Sequence, residues 1–185
     1  SEHYANAASG SLRDMGISVG KVKLDIDQMM QSKSDIVSTL TGGIDFLFKK
    51  NRITRLEGMA SIIAPGKIKI STGKDKGDYQ AEKIMIATGS HPSSLPGITI
   101  DESRMVSSTS ALSFETLPKK LLVIGAGYIG LELGTVWARL GAEVEVIEYL
   151  PRILPGMDSE VAKKFMTIAK KQGLRFRLST AVKSV

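Results

Sequence analysis

The chain has 185 residues, 42% of them hydrophobic, which suits one or two globular units. Its formal net charge of +6 invites an anionic partner, but the charge is dispersed in pairs (Lys49 with Lys50, Lys119 with Lys120, Lys163 with Lys164, Lys170 with Lys171) and few aromatics lie among it, which argues against nucleic-acid binding. There is no cysteine, so these residues hold no disulfide framework, thiolate metal site or thiol redox centre; His3 and His91 lack metal-ligand spacing, and neither a membrane-span run nor a signal-peptide pattern occurs.

Residues 1–17, SEHYANAASGSLRDMGI, read as the tail of a helix running into a loop. From Asp35 the pattern turns helical, with Ile36, Val37, Leu40, Ile44, Leu47 and Phe48 recurring on one face. Gly42 and Gly43 interrupt it, at about 1 kcal/mol each relative to Ala, and mark either a kink or a place where another backbone or a ligand comes close. Residues 53–89 change period: ITRLEGMASII, KIKIST and AEKIMIATG are separated by the turn-like APG and GKDKGD. Lys67–Ile70 alternates like a strand with one wet face, whereas residues 84–87, IMIA, are apolar throughout, like a strand buried on both faces. A small antiparallel excursion is therefore expected to return the chain to a central sheet at Ala87. It stops at Thr88, Gly89 and Ser90, where two small hydroxyl residues and a glycine suit either a plain turn or the close approach of a ligand.

SHPSSLPG is a connector, and VSSTSALSFETLP reads as a short turn of helix ending at Pro118. Composition changes there, which places a domain boundary near residues 114–119 and divides the chain into 1–113 and 114–185. The second part reads as strand 121–125, helix 127–140, strand 143–148, helix 158–172 and strand 174–178. That βαβαβ order implies a parallel sheet with right-handed crossovers. The fold class is α/β, with a small antiparallel β-meander in the first part.

LLVIGAGYIGLELG, residues 121–134, carries the most chemistry. A buried-strand run ends at Gly125, which allows a tight turn. Gly127 lets backbone approach a pyrophosphate, and Gly130, extended by Gly134, lets the new helix sit close on the strand. The phosphates would rest on free N–H groups at the helix N-terminus. Gly141 ends the helix as a C-cap does, and the second strand, AEVEVIE, finishes on Glu148, whose carboxylate would accept from the adenosine ribose 2′-OH and repel a 2′-phosphate. An NAD-type dinucleotide follows, against the plainer reading of a glycine-rich turn in an ordinary βαβ unit.

ATGSHPSSLPG, the run from SSTSALSFETLPKK through the glycine turn to EVEVIE, and ILPGMD together resemble the flavin-dependent pyridine nucleotide–disulfide oxidoreductases, and within them the members that oxidise dihydrolipoamide. The resemblance runs along the whole chain and implies pieces of two Rossmann-like domains: residues 1–113 the latter part of an FAD-binding domain, residues 114–185 the first part of an NAD-binding domain. That family carries an earlier flavin motif, a CxxxxC redox-active centre and a C-terminal interface domain, so the chain reads as an internal piece without them. By position, Gly58, Ala60, Thr88, Gly89 and Ser90 match the family's FAD contacts. Gly125, Ala126, Gly127, Tyr128, Ile129, Gly130, Leu131 and Glu132 match its NAD turn, with Glu148 on the ribose. Tyr128 would cover the nicotinamide pocket and Glu132 would lie near the flavin; the plainer readings are a solvent-facing ring and a polar helix residue. No metal ligand and no complete catalytic set is implied within these residues.

For the intact parent, the resemblance implies an NAD-dependent flavoprotein, a homodimer in the cytoplasm of bacteria or the mitochondrial matrix. It would reoxidise dihydrolipoamide on the acyltransferase core of 2-oxoacid dehydrogenase complexes, or on a glycine-cleavage carrier protein. The piece alone is expected to be inactive and colourless. A related flavin disulfide reductase, for mercuric ion or glutathione, and a stand-alone non-catalytic NAD-binding module are the alternatives.

Overall fold

The computed structural model describes residues 11–18, 20 and 23–184, except the side chains of Ser11 and Arg13. His3 and most of the expected opening helix tail fall outside them. Within them, α1 (Ser11–Asp14) runs into a turn closed by the Ile17 amide on the Leu12 carbonyl, 2.9 Å. The long helix α2 (Ile26–Lys50) starts well before Asp35, where its apolar periodicity begins. Asp25 caps it, its carboxylate accepting from the Gln28 amide at 2.9 Å. Gly42 and Gly43 do not interrupt it, and nothing lies within 4 Å of where either side chain would begin. Two glycine penalties are small beside the ladder of a 25-residue helix, so the helix runs through them without the expected interruption, and among the described residues no other segment comes close there.

The chain divides into two compact units, Ser32–His91 and Ser1–Gln31 with Pro92–Val185. The first holds most of α2 and an antiparallel sheet of β1 (Ala60–Ala64), β2 (Lys67–Ile70) and β3 (Gly77–Gln80), in that order. Ile62 pairs with Ile68, and Ile68 with Tyr79. The alternation in KIKI works as expected: Lys67 and Lys69 are exposed while Ile70 is buried at 5%. Residues 84–87 correct the sequence reading. They form no strand, and Met85 and Ile86 are 89% and 73% exposed. A strand is made by its ladder partners, and among the described residues none pairs with this segment; an apolar run alone does not supply one.

In the second unit, α3 (Ser108–Ala111) is capped by Ser107, whose hydroxyl accepts from the Thr109 amide at 3.2 Å. It ends well short of Pro118 because tertiary contacts take over. The Trp137 indole N–H donates to the Ala111 carbonyl at 3.1 Å, and the rings of Phe114 and Trp137 sit 5.1 Å apart. Then come β4 (Lys120–Ile124), α4 (Tyr128–Leu140), β5 (Glu143–Ile147), α5 (Ser159–Lys171) and β6 (Arg175–Arg177), within a residue or two of the expected bounds. The sheet order is β4-β5-β6, both pairings parallel, with Val123 opposite Val146 and Val146 opposite Phe176. Alternation along each strand gives it two faces. Leu121, Val123, Val144, Val146 and Phe176 join the core with Leu131, Trp137 and Leu140 of α4 and Ala162 and Ala169 of α5. The other face carries Glu143 against Arg175 and Lys120, and Glu145 against Arg177 at 2.6 Å. The Arg175 guanidinium holds the Glu143 carboxyl below its ordinary range, first by its hydrogen bond and then by its charge. Exposed pairs of this kind stabilise little; they keep the uncovered face wet.

Candidate dinucleotide site

The turn after β4 is built from backbone. Gly125 has φ 100°, a left-handed conformation that glycine adopts without strain, and its amide donates to the Ile147 carbonyl at 2.8 Å. Ala126 is fully buried. Gly130 is required where it stands: a Cβ there would lie 2.6 Å from the Gly125 carbonyl oxygen and 3.0 Å from Val123 Cγ1. Gly134 is less demanding, since a Cβ would meet Val144, Leu174 and Val123 at ordinary contact distances of 3.5–3.7 Å.

The two helices of this unit start differently. Asp158 caps α5, its carboxylate accepting from the amides of Glu160 and Val161. Gly127 stands at the same position of α4, and no side chain caps that helix. The space beside Gly127 is open, with nothing within 4 Å of where a Cβ would be. Uncapped first-turn amides with their partial positive charge, under a residue that leaves room for close approach, suit a pyrophosphate. The residues present fit the phosphates of a dinucleotide.

Glu148 follows β5 and reaches back to the turn. Its Oε2 accepts from the Ala126 amide at 2.7 Å and its Oε1 from the Leu150 amide at 2.8 Å. Its backbone is pinned as well, the amide donating to the Arg177 carbonyl and the carbonyl accepting from the Thr180 amide. The structure thus brings Gly125, Ala126, Gly127, Gly130 and Glu148 together, with Leu131 buried beneath them at 1%. Tyr128 and Ile129 are 68% and 46% exposed, and Glu132 is exposed on the same helix. Sequence reasoning missed Leu154, whose amide donates to the Ala126 carbonyl at 2.9 Å, and Leu150, which holds Glu148. Both act through backbone amides, which leave no trace in residue type. Asp158 two and three residues ahead of the amides it caps was a readable N-cap signal.

The other nominated residues belong to the unit Ser32–His91. Thr88, Gly89 and Ser90 are exposed on a segment without ladder partners, with Gly89 at φ 73°. Ala60 opens β1 opposite Ile70. Gly58 has a packing reason of its own: a Cβ there would fall 1.9 Å from the Thr72 carbonyl oxygen and 2.4 Å from Ile70 Cγ2. The room beside Gly58 is filled from within the chain, which accounts for a glycine there by packing. Among the described residues no group of His, Asp and Glu could hold a metal ion, and no helix is long and apolar enough to cross a membrane.

Residues 3–185 match the family of pyridine nucleotide-disulphide oxidoreductases. The mitochondrial dihydrolipoyl dehydrogenase of Pisum sativum is 46% identical over all of this chain and 37% of its own length. Dihydrolipoyl dehydrogenase 3 of Pseudomonas aeruginosa is 46% identical over 98% of this chain and 39% of its own. A leghemoglobin reductase of Vigna unguiculata is likewise 46% identical over the whole chain. Among solved structures, LpdA from Mycobacterium tuberculosis shares the fold at TM-score 0.82 and 20% identity, over all of this chain and 41% of that one. A cysteine-to-serine mutant of the HOCl-induced flavoprotein disulfide reductase RclA of Escherichia coli, in a Cu(II) complex, reaches TM-score 0.75 at 28% identity, covering 85% of this chain and 36% of that one. This chain thus spans well under half the length of the relatives it matches.

Proposed function

The chain belongs to the pyridine nucleotide-disulphide oxidoreductase family, and from that premise we propose that it is part of an FAD-dependent enzyme that reoxidises dihydrolipoamide with NAD⁺. In this proposal residues 1–113 are the latter part of the FAD-binding domain and residues 114–185 the first part of the NAD-binding domain. The observation that carries the coenzyme is the Glu148 carboxylate lying 2.7 Å from the amide at the heart of the glycine turn. The relatives' identity along the whole chain carries the substrate.

When bound, the flavin and the nicotinamide supply the electron and hydride transfers. The chain's own residues bind and orient. The first-turn amides of α4 hold the pyrophosphate, Gly127 admits it, and Glu148 accepts from the ribose hydroxyls and repels a 2′-phosphate. Tyr128 and Glu132, on the exposed side of α4, are placed by this reading toward the nicotinamide and the flavin. Gly58, Ala60, Thr88, Gly89 and Ser90 are its flavin contacts, Gly58 through its backbone. The thiol chemistry lies outside these residues, since the sequence has no cysteine. The parent in this reading is a homodimer of the bacterial cytoplasm or mitochondrial matrix, serving the acyltransferase core of 2-oxoacid dehydrogenase complexes or a glycine-cleavage carrier protein.

The test is NAD⁺-dependent oxidation of dihydrolipoamide by the full-length, flavin-loaded protein. Turnover is expected; a loaded protein that turns over another disulfide substrate but not dihydrolipoamide would favour a related flavin disulfide reductase. The 185-residue chain alone is expected to show no turnover above background.

A further inference from the structure

We infer that Glu148 does more than meet the ribose: with the loop of residues 148–154 it clamps the glycine turn into its phosphate-binding shape. The inference rests on the dinucleotide reading above. Ala126 is fully buried, so neither of its backbone groups can turn to water. Both are satisfied by the same loop, the N–H by Glu148 Oε2 at 2.7 Å and the C=O by the Leu154 amide at 2.9 Å. Leu154 holds φ 48°, a left-handed conformation disfavoured for a branched side chain, at the residue whose amide reaches the turn.

The carboxylate itself is fixed from two sides, by the Ala126 and Leu150 amides. A carboxylate has two oxygens and about four acceptor directions, so one remains on each oxygen, a pair matched to a vicinal diol. The same side chain therefore sets the turn and presents the ribose acceptors. Removing it leaves the Ala126 N–H buried without an acceptor. The turn then relaxes, and the pyrophosphate is held less well even on a ligand that has no ribose hydroxyls.

That consequence separates the clamp from simple ribose recognition. The experiment is calorimetric binding of ADP and of 2′,3′-dideoxy-ADP to the full-length, flavin-loaded protein and its Glu148→Ala and Glu148→Gln variants. The native protein is expected to bind ADP at least about tenfold more tightly than the dideoxy analogue, as hydrogen bonds to a charged acceptor would give. Glu148→Ala should lower affinity for the dideoxy analogue as well, by at least about fivefold. Glu148→Gln, which keeps one carbonyl acceptor, should restore part of the dideoxy-ADP affinity. Dideoxy-ADP binding unchanged in Glu148→Ala, or a Gln variant no better than Ala, overturns the clamp and leaves the ribose reading standing. Equal native affinity for both nucleotides, with both weakened by Glu148→Ala, supports the clamp and removes the ribose role. No binding of either nucleotide to the native protein removes both. If Glu148→Ala does not fold, Glu148→Leu, which fills the space but has no acceptor, decides in its place: a loss of at least about fivefold for dideoxy-ADP supports the clamp, and no loss overturns it.

Discussion

In the unit built on β4, β5 and β6, apolar side chains close on one another: Leu131, Trp137, Val144, Val146 and Ile153 are at most 2% exposed. In the unit Ser32–His91, Ile36, Val37, Leu40, Ile44 and Leu47 of α2, Ile62 and Ile63 of β1, and Met85 and Ile86 are all half exposed or more. The two units have similar apolar patterning and different local topology. A βαβαβ unit carries its own cover, because each crossover helix lies on the sheet it connects. Within these residues, which span well under half the length of the relatives, the long helix and the three-stranded antiparallel sheet leave their apolar faces open. Periodicity states which face is apolar; it does not state whether the cover comes from neighbouring segments or from more distant ones.

The largest test of that contrast uses one substitution in both places. Leu131→Ala should destabilise the 185-residue chain by about 2–5 kcal/mol, the range for a buried leucine. Leu40→Ala, at 65% exposure, should stay within about 0.5 kcal/mol. Urea unfolding checks both, and a large Leu40 effect would show that α2 is covered in solution.

Glycines sharpen the contrast through opposite signs. Gly130→Ala puts a methyl group 2.6 Å from a backbone carbonyl oxygen and should cost about 1–3 kcal/mol as overpacking. Gly42→Ala, with open space around it inside a helix, should stabilise by about 0.5–1 kcal/mol. Thermal unfolding of the two variants should move in opposite directions, and a shared direction would break the assignment.

The smallest effect lies in an exposed loop of the better-packed unit, which hydrogen bonds order in place of burial. Asp101 accepts from the amides of Ser103, Arg104 and Met105, and the Ser103 bond first, then Met105, lowers its pKa from 3.8 to about 2. Because the folded value is depressed, this loop's stabilisation is fully present above the ordinary carboxylate pKa and is lost as pH falls through about 2. An NMR titration of the Asp101 carboxyl should show a midpoint near 2, and a midpoint near 3.8 would mean the loop is not so bonded.

Legibility in the sequence follows the same division. The strands and helices from Lys120 to Arg177 were readable because glycines, caps and buried runs punctuate every junction, and Gly125, Gly127, Gly130 and Glu148 stand at positions set by local chain geometry. Residues 84–87 were misread because an apolar run is ambiguous without its partners. The start of α2 was misread because Asp25, Ile26 and Asp27 carry a cap signal but no apolar stripe. Leu150 and Leu154 were invisible because they contribute amide groups, whose use depends on where the loop folds.

In the proposed function, Glu148 sits on the glycine turn and chooses the coenzyme. Its most direct test is Glu148→Arg in the full-length enzyme, comparing kcat/KM with NAD⁺ and NADP⁺. The substitution removes both acceptors and offers a partner for a 2′-phosphate, and hydrogen bonds to a charged group are worth about 1.5–3 kcal/mol. The preference for NAD⁺ over NADP⁺ is expected to fall at least about tenfold. A ratio unchanged by the substitution, whatever the loss of overall activity, would contradict it.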